Sequence, residues 1–212
     1  MTPSPPGGAA VTELASRTRV THTSPGRDLD VAEAAAAAFM KALGIATDTG
    51  RNPDLALTPR RFADAYAELL TPREFDVTTF ENTEQYDELV LVTDIEFASV
   101  CEHHLLPFLG VAHVGYLPAE RIVGLSKLPR LVEHYAKRPQ TQERLTSQIA
   151  SGLEEHLRPR GVGVVIEAEH TCMSLRGARS RGSRTTTSRL LGHVRSDSST
   201  RAEFLALVGA GR

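Results

Sequence analysis

Two short segments of this chain combine residue types that can hold a metal ion. Cys101-Glu102-His103-His104 sets a thiol and an imidazole three residues apart, close enough for one tight turn to aim both at a single ion. Glu169-His170-Thr171-Cys172 brings the only other cysteine, again beside a histidine. If His170 and Cys172 lie on the strand suggested by Val164-Val165-Ile166, their i,i+2 spacing puts both on one sheet face, so one can bind an ion while the other meets a substrate. A set made of Cys101, His104 and Cys172 has three protein ligands and leaves the fourth tetrahedral position to water, as in catalytic zinc sites. The other reading is that both cysteines are buried as small hydrophobes, free cysteine being among the most buried residue types.

The elements that must position these residues are legible in outline. Asp30 with Glu33 makes a capping-box pattern before an alanine-rich helix that runs to Leu43 and stops at Gly44. Thr58 and Pro59 open a second helix with Phe62, Ala63, Tyr66 and Leu69 on one stripe, ended before Pro72. From residue 88 the texture becomes β-rich, with apolar runs at 89–92, 95–97 and 111–116. Helices are expected over 128–136 and 142–157, the second with Leu145, Ile149, Leu153 and Leu157 every four residues. A buried strand over 161–168 should pair with 184–194 across a turn near Gly182 and Ser183, and Thr200 with Glu203 should cap a last helix. Strands and helices in blocks, without strict alternation, indicate an α+β fold. The expected organisation is a disordered tail over 1–27, a helical region over 28–87 and a catalytic core over 88–212.

At 212 residues the chain can bury a full core, and its formal net charge of −2 argues against a polyanion-binding surface, so no nucleic-acid partner is expected. No apolar run is long enough to cross a bilayer, no signal-peptide core is present, and two cysteines make no disulfide framework; a cytoplasmic protein with no membrane partner is the expectation.

Beyond Cys101-Glu102-His103-His104 and His170-Thr171-Cys172-Met173, the chain carries Gly124-Leu125-Ser126-Lys127-Leu128 and Arg138-Pro139-Gln140-Thr141-Gln142-Glu143-Arg144-Leu145-Thr146. In this order and spacing the four segments resemble GTP cyclohydrolase I, and the likeness extends more loosely back to Thr58-Pro59-Arg60-Arg61. The resemblance implies the tunnelling fold: an N-terminal helical pair, then a mixed or antiparallel sheet packed with two helices. It also implies a homodecamer of two pentamers with shared active sites. Pro129 departs from the small or polar residue usual there, harmlessly at an early helical position.

The same resemblance implies roles. Cys101, His104 and Cys172 would hold Zn2+, whose water attacks C8 of GTP. His170 would protonate N7, and His103 would serve the ribose ring oxygen. Glu143 would accept from N1–H and the exocyclic amine of guanine, supported by Gln142. Ser126, Lys127, Arg130 and Arg176 would hold the triphosphate, joined by Arg61 from a neighbouring subunit. The implied products are formate and 7,8-dihydroneopterin triphosphate, the first step of folate or tetrahydropterin synthesis. A nitrile reductase of the same fold, using a cysteine nucleophile and a nicotinamide cofactor, and a catalytically silent nucleotide-binding ring are the rivals; only the cyclohydrolase releases formate from GTP.

Overall fold

The computed structural model describes residues 15–20, 26–47 and 53–210. The first described element is β1 (Ala15–Val20), followed by a hairpin of helices α1 (Leu29–Ala42) and α2 (Thr58–Leu69), and then β2 (Phe75–Glu81). The core follows as β3 (Val90–Cys101), β4 (Pro107–Leu117), the short β5 (Arg121–Val123), α3 (Lys127–Ala136), β6 (Pro139–Gln140) and α4 (Gln142–Leu157). It ends with β7 (Gly161–His170), one turn of helix α5 (Thr171–Ser174), β8 (Thr185–Leu191), α6 (Gly192–Ser196) and α7 (Ser198–Gly209). The fold is α+β, and its centre is a β–β–α–α–β–β unit, as the sequence leads one to expect.

The main sheet has the order β6-β3-β4-β7-β8, antiparallel except for the β3–β6 pair, and a smaller sheet joins β1, β2 and β5. The four-residue spacing of Leu145, Ile149 and Leu153 puts them on one side of α4, where each is at most 1% exposed. With Leu128, Leu131 and Val132 of α3 they cover a sheet face made by Phe108, Ala112, Val114, Tyr116, Val162, Val164 and Ile166. Truncating one such leucine to alanine typically costs about 2–5 kcal/mol. Among the described residues the opposite face is covered at one end, where Phe204 and Val208 of α7 meet Leu117 and Val165. There a Cβ on Gly163 would stand 2.7 Å from the Phe204 ring, so glycine is required for α7 to seat.

Local details differ from the sequence reading. The cap of α1 is Asp28, whose carboxylate accepts from the backbone N–H of Asp30 (3.1 Å) and Val31 (3.0 Å); Asp30 and Glu33 instead pair with Arg60 and tie α1 to α2. Gly44 does end the helix, at φ +77°. Thr58 lies inside α2, which has no side-chain cap, with Pro59 in its first turn. The runs at 89–92 and 95–97 belong to one strand, β3, bulged between Val92 and Ile95 with Asp94 at φ +55°. The tail expected over 1–27 contains β1, paired with β2 along all six of its residues; residues 1–14 and 21–25 lie outside the described set.

Asp197, not Thr200, caps α7. Its carboxylate accepts from Ser199 Oγ (2.7 Å), Thr200 N (2.8 Å) and Thr200 Oγ1 (2.8 Å), and these bonds hold its pKa well below the usual carboxylate range. A carboxyl depressed in the folded state adds stability that is fully present above its unfolded pKa, about 3.9, and is lost as pH falls towards the folded value. Asp197→Ala should therefore lower the thermal midpoint by about 3 °C at pH 7. The gap to the parent protein should close on acidification below about pH 4. A gap of constant size from pH 7 to pH 3 in paired thermal melts would reject the capping role.

Candidate functional site

Four strand ends and a helix start meet at one edge of the main sheet. Val100 of β3 pairs with Pro107 of β4 and with Pro139 of β6, Cys101 with Gln140, and Phe108 of β4 with His170, the last residue of β7. Between β3 and β4 the chain turns through Glu102, His103 and His104, closed by Leu105 N–H to Cys101 O (2.8 Å) and Cys101 N–H to Leu106 O (2.9 Å). Leu105 takes φ +53°, and its carbonyl accepts from Tyr66 Oη of α2 at 2.8 Å. The turn is thus held from outside the sheet. Sequence reasoning placed Tyr66 on a helix stripe but had no signal for this contact.

A pocket of about 240 Å3 opens here, lined by Cys101, His103, His104, Gln142, Glu143, His170 and Cys172 among others. The two cysteines are both free thiols, their sulfurs 4.0 Å apart. That is close to the separation of about 3.8 Å that two thiolates adopt on one tetrahedral zinc. Cys101 Sγ, Cys172 Sγ and a His170 ring nitrogen all lie within 4.8 Å of one another. The Nδ1 atoms of His103 and His104 lie 3.9 and 4.0 Å from Cys101 Sγ. Burial and the neighbouring Cys101 push the Cys172 thiol up, while Arg176 opposes the shift. A dication between two thiols inverts this logic and deprotonates them, so the donor set fits zinc.

The strand expected to carry both His170 and Cys172 stops at His170; Cys172 sits in the first turn of α5. The two residues still converge, because the turn folds Cys172 back towards Cys101. His170 is clamped: its ring stacks on Phe108 with centroids 4.5 Å apart and planes 7° apart, and its Nε2 lies 2.9 Å from Gln142 Oε1. Burial lowers the His170 pKa, and the nearby Glu143 carboxylate counters that. Gln142 is 2% exposed, and its amide nitrogen donates to Ile166 O (3.1 Å), Thr185 O (2.8 Å) and Thr187 Oγ1 (3.1 Å). With every polar atom of its side chain engaged, Gln142 fixes His170 and leaves the open side of the pocket to Glu143. A second support runs from Gln148 through the fully buried Gln140 to Arg144, which pairs with Glu102 beside His103.

Not all the basic residues gather here. Arg176 is near enough to Cys172 to influence its ionisation. Ser126, Lys127 and Arg130 stand at the opposite end of α3, whose C-terminal end leads through Arg138 into the pocket. Ten helical residues span about 15 Å. Ser126 makes no side-chain cap bond, and Arg130 lines a separate hollow with Arg73 and Glu133. Arg61 is exposed on α2. One chain therefore presents a thiol–imidazole pocket beyond one end of α3 and Ser126, Lys127 and Arg130 at the other.

Residues 32–209 match the family described as GTP cyclohydrolase I. The chain is 50% identical over 203 residues to the GTP cyclohydrolase 1 of Mycobacterium ulcerans (strain Agy99), an alignment covering 93% of this chain and 98% of that one. It is 54% identical over 162 residues to the GTP cyclohydrolase 1 of Aquifex aeolicus (strain VF5), covering 75% and 88%.

Proposed function

The chain belongs to the GTP cyclohydrolase I family and is an enzyme of that activity, and from this premise we propose how its pocket opens the guanine ring of GTP to give formate and 7,8-dihydroneopterin triphosphate. The observation that carries the reading is the convergence of two thiols, three imidazoles and the Glu143 carboxylate on one pocket. By likeness to the family, Cys101, Cys172 and His104 would hold zinc and His170 would be kept for proton transfer, its ring oriented by Gln142 and Phe108. Bound zinc supplies a Lewis acid that makes water a usable nucleophile at neutral pH.

The chain's own groups do the rest. Glu143 accepts two hydrogen bonds from the N1–H and amine edge of guanine, a pattern adenine does not offer. His170, anchored through Nε2, keeps Nδ1 for a proton delivered to N7 as the C8–N bond weakens. His103, more exposed and 3.9 Å from the Glu102 carboxylate, serves the ribose ring oxygen in the later sugar opening. Ser126, Lys127, Arg130 and Arg176 hold the triphosphate, with Arg61 from a further copy, in a decamer of two pentamers whose sites are shared. Among the described residues no helix is long and apolar enough to cross a membrane, and free thiols suit a reducing cytoplasm.

Incubation of the zinc-loaded protein with GTP should release formate together with a pterin chromophore; release of neither rejects the reading. The two imidazole assignments separate by metal analysis. His104→Ala should lose its zinc, whereas His170→Ala should keep it and lose about 10²–10⁴-fold in the chemical step. The reverse pattern would exchange their roles.

A further inference from the structure

A larger cavity, of about 650 Å3, lies on the sheet face turned away from α3 and α4, within the usual range of small-molecule sites, about 300–1,000 Å3. The strand period and the pairings Glu96↔Val111 and Leu109↔Glu169 place these four side chains on that face. The cavity shares no lining residue with the thiol–imidazole pocket. Instead α5 and its flank divide the two, with Cys172 and Met173 lining the pocket and Thr171, Ser174 and Leu175 lining the cavity.

Several independent features make this a built site. Ser174 of α5 belongs to the cavity lining and is 4% exposed. Glu96 and Glu169 form no ion pair among the described residues, and neither does Arg184 at the rim. The apolar wall is exposed, Leu109 by 55% and Leu175 by 74%. Two carboxylates against one guanidinium favour a cation, and the leucines favour an apolar body behind it.

We propose that this cavity binds a compact apolar or aromatic molecule carrying an ammonium or amidinium group. The cation lies between Glu96 and Glu169, and the body lies on Leu109 and Leu175. Because α5 is the shared wall, the occupant shifts Cys172 and so alters turnover of GTP. That coupling rests on the metal-binding reading of Cys172, whereas binding itself does not.

Calorimetric titration of the assembled, zinc-loaded enzyme with benzamidine tests both parts. Expected is saturable binding, one per chain, undiminished by a saturating non-hydrolysable GTP analogue and absent for benzoate. The double variant Glu96→Gln with Glu169→Gln should weaken it at least about tenfold. Leu109→Lys, at an exposed position that tolerates the change, should abolish it by placing the protein's own ammonium in the cavity. No saturable binding up to about 10 mM, a generous limit for a ligand of this size, overturns the site. Displacement by the nucleotide, or equal binding by both variants, overturns it as well. Binding that leaves formate release unchanged overturns the coupling through α5.

Discussion

Glu143→Gln protein keeps its fold and its zinc but loses about 10⁴-fold in kcat/KM for GTP. The residue is the second of α4 and faces the pocket, where its charge already reaches His170. An amide in its place meets guanine N1–H and the amine with at most one acceptor, and it turns a donor towards donors. Helix α4 itself should be indifferent to the change, because its cap is Thr141, which accepts from Arg144 N, and its burial comes from Leu145, Ile149 and Leu153. Steady-state kinetics with metal analysis on the same preparation decide the matter. A loss below tenfold, with zinc retained, would remove Glu143 from base recognition.

Equal mixing of Lys127→Ala and Cys172→Ala subunits, each inactive alone, restores about a quarter of the wild-type formate release after unfolding and reassembly. The figure follows from geometry. In the proposed shared site Lys127, at the start of α3, and Cys172, in the pocket beyond its far end, come from two copies. Each copy has an even chance of being intact at the residue it contributes. If one chain supplied both residues to a site, every site in the mixture would be defective and mixing would restore nothing. A reassembled, zinc-containing mixture no more active than its parents would therefore falsify the shared site.

The helices and most of the sheet could be read directly because their signals are local. Leu145 to Leu157 repeat at helical spacing, and Val162 to Ile166 form an apolar run broken only by Gly163. The pocket's membership was also legible, since thiol, imidazole and carboxylate types announce themselves. What sequence could not supply were contacts between distant elements. Phe108 reads as a core residue, and only the β4–β7 register brings it against His170. Gln142 reads as a polar residue at a helix start, and only the packing of α4 on β7 and β8 buries it with all its hydrogen bonds filled. Caps failed for a related reason: aspartate, threonine and glutamate lie so close together near residues 28–33 and 197–203 that spacing alone cannot choose among them. β1 was missed because its six residues, ASRTRV, lack the alternation of a half-buried strand.

The length of α3 has a consequence for how this protein can change over evolutionary time. The helix acts as a gauge, fixing the offset between the pocket a chain builds and the cations it offers elsewhere. Substitutions on its outer surface leave that offset alone and should be freely tolerated. A single inserted residue, by contrast, turns the far end by about 100° and advances it about 1.5 Å, which swings Ser126, Lys127 and Arg130 off their bearing together. Drift in composition but a fixed residue count between Ser126 and Gln140 is what such a gauge demands.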